Sequence, residues 1–285
     1  MTRDTWAPEP EALPVAVIDN HCHLDFPLEG ETGSPAITAE SVTSRLESAA
    51  RAGVKGVVQI GCDPESVRWT AAAVLEHPAM LGGVAVHPNE AARLSAVGDY
   101  DLAFLEVAAA ARGERIRVIG ETGLDFFRTG PGGGRDAQVV AFREHIALAK
   151  ETGLALQIHD RDAHAEVLEV LDRDGAPERT VFHCFSGDAA FARECVARGY
   201  YLSFAGTVTF INAVPLREAV AVTPPSRILL ETDSPFLTPH PHRGDANTPA
   251  QVARTAKAVA MCLNLELAEL CEIVAVTSED LYGPW

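Results

Sequence analysis

The chain has no Cys-x-x-Cys pair and no dense cysteine framework: its six cysteines, Cys22, Cys62, Cys184, Cys195, Cys262 and Cys271, are scattered over 285 residues. Small secreted domains staple themselves with clustered disulfides, so this pattern excludes that class and fits a reducing compartment. Long hydrophobic runs are also missing. Stretches such as Val57-Val58 and Ile228-Leu229-Leu230 fall far short of the roughly 20 apolar residues of a bilayer-spanning helix. The opening Met1-Thr2-Arg3-Asp4, followed by an acidic, proline-rich stretch to Glu11, does not resemble a signal peptide. A soluble, cytoplasmic protein with no membrane association is therefore expected. Positive charge is scarce too, with 23 Lys and Arg against 40 Asp and Glu and a formal net charge of -17. Proteins that coat or slide along nucleic acid neutralise many phosphates at once, so that class is excluded. A polyanionic substrate gripped at one metal-rich spot is not.

What is present is a recurring unit. Short apolar, β-branched runs alternate with amphipathic or alanine-rich stretches, the pattern of repeated βα units around a parallel sheet. Eight such runs stand out: Val15–Asp19, Gly56–Gly61, Leu81–His87, Ile116–Glu121, Leu154–His159, Thr180–His183, Tyr200–Phe204 and Ile228–Asp233. Eight units in a chain of this length predict an α/β fold, a (β/α)8 TIM barrel. Val42, Leu46, Ala49 and Ala50 follow helical spacing up to Gly53, as do Phe142, Ile146 and Ala149 up to Gly153. Thr248-Pro249-Ala250-Gln251 reads as a capping box opening a helix through Val252, Ala256, Val259 and Leu263, and a last helix is expected over Leu267, Leu270 and Val274. No repeat or linker appears, so residues 1–285 are read as one domain, with 1–14 as a flexible N-terminal extension. Phe126 to Arg135, rich in glycine, reads as a mobile lid after the fourth strand, and Thr238 to Asn247 as a long loop after the eighth.

Ligand-type side chains fall at the strand ends, where a barrel gathers its reactive groups. His21 and His23 follow the first strand, Glu121 ends the fourth, His159 the fifth, His183 lies in the sixth and Asp233 ends the eighth. In His-x-His on an extended strand both imidazoles project to one side and can chelate one ion together. A single strand-end histidine is more often a hydrogen-bonded structural residue. Six ligand-type residues converging from five strands are hard to assign to structure alone, and mixed imidazole and carboxylate donors suit zinc, manganese, iron or cobalt.

These residues carry a resemblance. Asp19-Asn20-His21-Cys22-His23-Leu24-Asp25, Gly120-Glu121-Thr122-Gly123-Leu124-Asp125, Gln157-Ile158-His159, His183-Cys184-Phe185-Ser186-Gly187 and Glu231-Thr232-Asp233-Ser234-Pro235-Phe236-Leu237 resemble the motifs of the TatD family of metal-dependent DNases. Arg243-Gly244 and Asn247-Thr248-Pro249 resemble its block after the eighth strand. The resemblance spans about residue 17 to 283. It implies a member of the amidohydrolase superfamily with two divalent ions (Mg, Mn or Zn) that hydrolyses phosphodiester bonds in DNA, single-stranded or at ends, and in RNA as well. His21, His23, Glu121 and Asp233 match the ligands of one ion, and Glu121, His159 and His183 those of the second. None of Lys55, Lys150 and Lys257 ends a strand, so Glu121 takes the bridging place that a carboxylated lysine holds in related enzymes. Thr122, Asn89 and Asp160 depart from the family pattern without removing a ligand.

Asp233 is then both a ligand and the general base that takes a proton from the attacking water, with Glu121 the second catalytic carboxylate. His87, Arg243 and Arg161 are the candidates for substrate binding, with phosphate suited to the planar guanidinium fork. Phe126 and Phe127 are expected to pack beneath their loop rather than stack on a base. His77, His145, His164, His240 and His242 are expected to face solvent, and Cys22 and Cys184 to point away from the ligands. Nucleic acid is the expected partner, bound weakly and locally as a substrate, and the sequence points to no stable protein partner. Two other readings use the same residues. One is an amidohydrolase proper, cleaving a C–N or ester bond in a small molecule; the other is a metal-binding scaffold without turnover.

Overall fold

The computed structural model describes residues 6–26 and 39–285, with the side chains of residues 39 and 40 excepted. The strands are β1 (Val17–Cys22), β2 (Val54–Gly61), β3 (Met80–Val84), β4 (Ile116–Asp125), β5 (Ala155–Arg161), β6 (Thr180–Phe182), β7 (Tyr201–Phe204) and β8 (Ile228–Leu230). Between them run α1 (Ala39–Arg51), α2 (Pro64–Glu76), α3 (Pro88–Val97), α4 (Tyr100–Ala110), α5 (Gly133–Thr152), α6 (His164–Asp174), α7 (Ala189–Ala197) and α8 (Val214–Val222). The chain closes with α9 (Val252–Leu263) and α10 (Leu267–Tyr282). Each strand pairs in parallel with the next, in the order β1 to β8. Side chains bring the first and last strands together. The Asp19 carboxylate accepts from the Thr232 amide at 2.9 Å and its hydroxyl at 2.5 Å, the Asn20 amide donates to the Leu230 carbonyl at 2.8 Å, and the Asp233 and His23 amides donate to the His21 and Ser234 carbonyls.

The barrel is nearly closed, and its interior is layered by the two-residue period of the strands. Val58, Ile60, Leu81, Val118, Ala155, Val181 and Leu229 form an apolar floor, sealed from below by Leu281 and Tyr282 at the end of α10. Two residues further along β5, Gln157 hydrogen-bonds the Tyr282 hydroxyl at 2.9 Å and the Asn20 carbonyl at 2.8 Å. Two residues further again come the ligand-type groups, so the same alternation that buries Val181 and Leu229 lifts His183 and Asp233 to the rim. A second, larger core packs the helices against the outside of the sheet.

Several sequence expectations change. β3 stops at Val84, because Pro88 opens α3 and His87 serves as its N-cap; residues 85–87 still follow the strand's path, through bonds from the Ala85 and His87 amides to the Gly61 and Cys62 carbonyls. β4 continues to Asp125, paired with β5 as far as Arg161. Thr248 forms no capping box: Pro249–Gln251 is a 3-10 turn, and the Gln251 amide is used by the Pro8 carbonyl at 3.1 Å. That contact also corrects the flexible extension. Ala7 and Leu13 are buried and their amides bond to the Ala246 and Ala52 carbonyls, while residues 1–5 lie outside the described residues. The expected lid is tied down as well. α5 already begins at Gly133, the Arg135 guanidinium bonds the carbonyls of Phe126 and Thr129, and the Gln138 amide bonds the Thr129 hydroxyl at 2.8 Å. His145 is fully buried rather than solvent-facing; its Nε2 accepts from the Val86 amide at 3.1 Å and its Nδ1–H donates to the Ala141 carbonyl, pinning the approach to His87 onto α5. His164 is partly buried, paired with Asp160 and stacked on Phe191. No helix among the described residues is long and apolar enough to cross a membrane.

Candidate metal centre

His21, His23, Glu121, His159, His183 and Asp233 converge at the rim. His21 Nε2 and His23 Nε2 are 3.3 Å apart. Glu121 Oε1 lies 3.8 and 3.6 Å from them, and Asp233 Oδ1 3.8 and 3.4 Å. The other Glu121 oxygen, Oε2, meets His159 Nδ1 at 2.9 Å and His183 Nε2 at 2.8 Å. One carboxylate thus faces two sets of imidazoles, one through each oxygen.

The donor chemistry fits a divalent ion. Ligands about 2.0–2.2 Å from a metal sit about 3.0–3.4 Å from one another, close to the spacings in the His21, His23, Glu121, Asp233 group. The hydrogen bonds on the far side of each ring agree. His21 Nδ1–H donates to Gln157 Oε1 at 2.8 Å, His23 Nδ1–H to the Ile60 carbonyl at 3.0 Å and His183 Nδ1–H to Glu231 Oε1 at 3.1 Å. An acceptor behind Nδ1 leaves the Nε2 lone pair for a cation. His159 Nε2 makes no well-aligned hydrogen bond, although Asp125 Oδ2 is 3.3 Å away. Among the described residues, three sets of candidate ligand atoms lie within a common 4.8 Å: His21, His23 and Glu121; His21, His183 and Asp233; and His87, Glu121 and His159. His183 therefore also lies within 4.8 Å of ligand atoms of His21 and Asp233, besides meeting Glu121 Oε2 at 2.8 Å.

Electrostatics carry the imprint of this crowding. Burial, with His183 beside it, holds the His21 imidazole well below its ordinary range. Burial would lower His23 too, but the hydrogen bond and charge of Asp233, with Glu121 and Asp25 behind, lift it to about 9. Glu121 and Glu231 overcome burial at His183 and push it well up; reciprocally, His183, His87 and His159 overcome burial to hold Glu121 well below the usual carboxylate range. The protons these raised imidazoles hold are ones a bound cation would replace.

His87 is wired differently. Its Nδ1 accepts from the Asn89 amide in the first turn of α3, at 3.1 Å. A neutral ring that accepts at Nδ1 carries its proton on Nε2, and Nε2 lies 3.9 Å from Glu121 Oε2. Burial moves the ring down to about 3. It is therefore a neutral donor aimed at the centre, with its lone pair used up.

Backbone strain collects here as well. Asp162, Cys184, Asp233 and Leu237, none of them glycine, have φ between 43° and 56°, and all follow β5, β6 or β8. Gly123 is held at φ 134°, and a Cβ there would sit 2.2 Å from the His159 carbonyl oxygen, so the close approach of β4 to β5 requires glycine.

Other residues fall in varied places. Arg161 ends β5 two positions beyond His159, with its guanidinium 4.0 Å over the Phe127 ring. Arg243 is exposed and stacks 4.1 Å over Phe210. Phe126 packs against the core, but Phe127 is 62% exposed, because the turn that buries one aromatic presents the next outward. Cys22 points to the Val58 carbonyl. The sequence reading missed four partners. Gln157 and Glu231 stand behind His21 and His183, Asp125 accepts from the Asn89 side-chain amide at 3.0 Å and stands 3.3 Å from His159 Nε2, and the Cys62 thiol donates to Glu121 Oε1 at 3.4 Å. Two-residue alternation inward from β2 and β8 was the available signal for Cys62 and Glu231.

A nearly closed barrel with imidazoles and carboxylates gathered at its C-terminal rim defines a metal-dependent hydrolase. Comparison with known proteins gives the family: the profile described as TatD related DNase matches residues 18–283, and the chain belongs to that family. It is 41% identical, over 94% of its length and 98% of the relative's, to an uncharacterized metal-dependent hydrolase TatD of Mycobacterium tuberculosis. It is 36% identical to the uncharacterized metal-dependent hydrolase YabD of Bacillus subtilis, over 83% and 91% of the two chains. Among solved structures, the TatD homolog YjjV of Escherichia coli superposes with a TM-score of 0.83 at 26% identity, over 94% and 98% of the two chains.

Proposed function

We propose that this hydrolase cleaves phosphodiester bonds in nucleic acid, DNA single-stranded or at ends and RNA as well, using two divalent ions, Mg, Mn or Zn. What supports the reading is that candidate anion donors accompany a cluster whose donor atoms are spaced for a cation. Arg161 and the His87 Nε2–H sit beside a cluster whose donors are spaced for metal, and a phosphodiester needs both. Glu121 would bridge the ions, with His21, His23 and Asp233 on one side and His159 and His183 on the other.

Divalent ions held there would supply Lewis acidity and acidify a water ligand. The protein's own groups do the rest. Asp233, 15% exposed at its side chain, accepts the proton of the attacking water. His87 donates to a non-bridging phosphate oxygen as charge gathers on it. Arg161 and Arg243 pair with flanking phosphates, and the acidic surface keeps the grip local. A cytoplasmic site of action belongs to the same reading, in keeping with the six unpaired cysteines.

The test is a substrate panel of single-stranded DNA, RNA, abasic duplex and simple amides with added manganese or magnesium, run alongside Asp233→Asn. The variant is expected to retain part of its metal and to lose about 10²–10⁴-fold in turnover. Glu121→Gln should differ, in that excess metal partly restores it. Cleavage of amides alone would replace this reading with the small-molecule amidohydrolase. Near wild-type turnover by Asp233→Asn would remove the proposed base.

A further inference from the structure

His21 is fully buried beneath the centre, with Nε2 toward His23, Glu121 and Asp233 and with Nδ1 2.8 Å from Gln157 Oε1. A neutral imidazole has one proton for two nitrogens, and a ring enclosed in protein takes its tautomer from the groups around it. The end of the Gln157 side chain that faces Nδ1 therefore decides which nitrogen keeps a lone pair. An oxygen there draws the proton to Nδ1; an NH2 group would send it to Nε2. That end is fixed from below. Gln157, fully buried on β5, donates from Nε2 to the Asn20 carbonyl at 2.8 Å and to the Tyr282 hydroxyl at 2.9 Å, so both amide hydrogens are taken. Reversing the amide would set Oε1 against the Asn20 carbonyl, acceptor against acceptor. Both partners are anchored. Asn20 Nδ2 donates to the Leu230 carbonyl at 2.8 Å, and Arg179 donates to the Leu281 carbonyl at 2.8 Å, beside Tyr282 at the end of α10.

We propose that Gln157 and Tyr282 are positioning residues for the metal centre, holding the Gln157 carboxamide oxygen toward His21 so that the ring keeps its proton on Nδ1 and offers Nε2 to a cation. The inference rests on His21 being a ligand, as in the reading above, and holds whichever bond the enzyme cleaves. A hydroxyl in the barrel floor thus acts on the rim through one amide. With the amide reversed, His21 would present Nε2–H to the centre, as His87 does, and a donor 3.3 Å from His23 Nε2 repels the ion that a lone pair binds. An oxygen behind Nδ1 also makes the ring a stronger ligand. The cost of the arrangement supports a role of this kind. Gln157 lies just above a floor of Val58, Ile60, Leu81, Val118, Ala155, Val181 and Leu229, where a buried amide is expensive unless its hydrogen bonds are made. An apolar side chain would fill that layer without the expense, but it would leave the His21 proton undirected.

The test uses the full chain and has two readouts besides activity. Zinc affinity is measured by competition with a chelating dye, and nitrogen-15 NMR of the histidine side chains at fixed pH, with His21 assigned by its loss in His21→Ala, shows which ring nitrogen is protonated before zinc is added. Wild-type protein is expected to hold the His21 proton on Nδ1. Gln157→Leu should move it in part to Nε2 and weaken zinc binding on the order of 10- to 100-fold. Tyr282→Phe, which keeps the ring that seals the floor, should shift both readouts the same way by less, because the Asn20 carbonyl still holds one amide hydrogen; it decides the question if Gln157→Leu does not fold. Gln157→Glu keeps an oxygen for Nδ1–H and should restore affinity and tautomer. Wild-type zinc affinity in the folded variants overturns the inference. So does a loss of affinity with the proton still on Nδ1, or one that Gln157→Glu does not restore, since either is packing damage. Wild-type zinc affinity and stoichiometry in His21→Ala would instead remove His21 from the ligands and overturn the reading beneath.

Discussion

Among the imidazoles of the centre, His87 differs in which nitrogen faces the protein. His21, His23 and His183 each donate from Nδ1 to an acceptor and offer Nε2, whereas His87 accepts at Nδ1 from the Asn89 amide and offers Nε2–H. A donor rather than a ligand is expected to affect turnover without affecting metal content. His87→Ala should lower kcat about 10²–10³-fold, the usual cost of removing one such donor, at unchanged metal stoichiometry by elemental analysis. His87→Gln, which can place an amide N–H near the same position, should recover more than His87→Asn. With burial holding this ring near 3, it stays neutral from pH 5 to 9, and His87→Gln should leave the limbs of the pH–rate profile where they are. Loss of metal from His87→Ala would instead place it among the ligands, beside Glu121 and His159. The sequence named His87 through its place at the end of the third apolar run. Its proton could not be placed that way, because the tautomer is fixed by an amide in a helix not yet folded.

At the scale of elements, the pairing of β4 with β5 brings Glu121 and His159 together, and Gly123 permits that pairing. Gly123→Ala puts a methyl group against the His159 carbonyl and forces φ 134° on a residue with a Cβ. Backbone strain of this kind costs about 1–3 kcal/mol, and the backbone clash adds to it. Denaturant unfolding should show a loss of at least that size, accompanied by weaker metal uptake as β4 shifts; a wild-type midpoint would mean that the strands can separate freely. Element existence was legible in the sequence because eight apolar runs and their helical partners have distinct periods. Element ends were not. β3 stops early because Pro88 begins α3, β4 runs on because β5 continues beside it, and Thr248 loses its capping box because Gln251 turns to Pro8. Each outcome depends on a neighbour distant in sequence.

For the whole molecule, metal, protons and stability are linked. In metal-free protein the raised imidazoles hold protons that a cation must displace, so metal uptake should release protons and strengthen as pH rises from 6.5 toward about 9. The stability contribution of His23 runs the other way: its folded pKa is raised, so the gain is complete below 6.5 and is lost as pH rises through about 9. Calorimetry in buffers of different ionisation enthalpy checks the first statement, and Tm of chelated protein against pH checks the second. Chelation should abolish activity and lower Tm, with both restored by divalent ions; full activity of rigorously metal-free protein would exclude the metal-dependent reading. With a net charge of -17, affinity for single-stranded DNA should depend on salt far less steeply than for a protein making roughly 6–10 phosphate contacts. A steep dependence would reveal a basic groove.

The sequence by itself determined the barrel and the types and order of the candidate ligands along the chain. Two-residue alternation decides which side chains face inward, and a strand end decides which of them reach the rim. Tertiary structure decided which nitrogen of each ring is offered, which carboxylate oxygen faces which imidazole, and that Gln157, Glu231, Asp125 and Cys62 stand behind or beside the ligands. It also decided that Phe26 and Phe236, 210 residues apart in the chain, meet edge to face at 5.4 Å beside His23. Those relations arise only when β8 returns to β1, because contact between residues far apart in sequence is set by barrel closure and by no local preference of the chain.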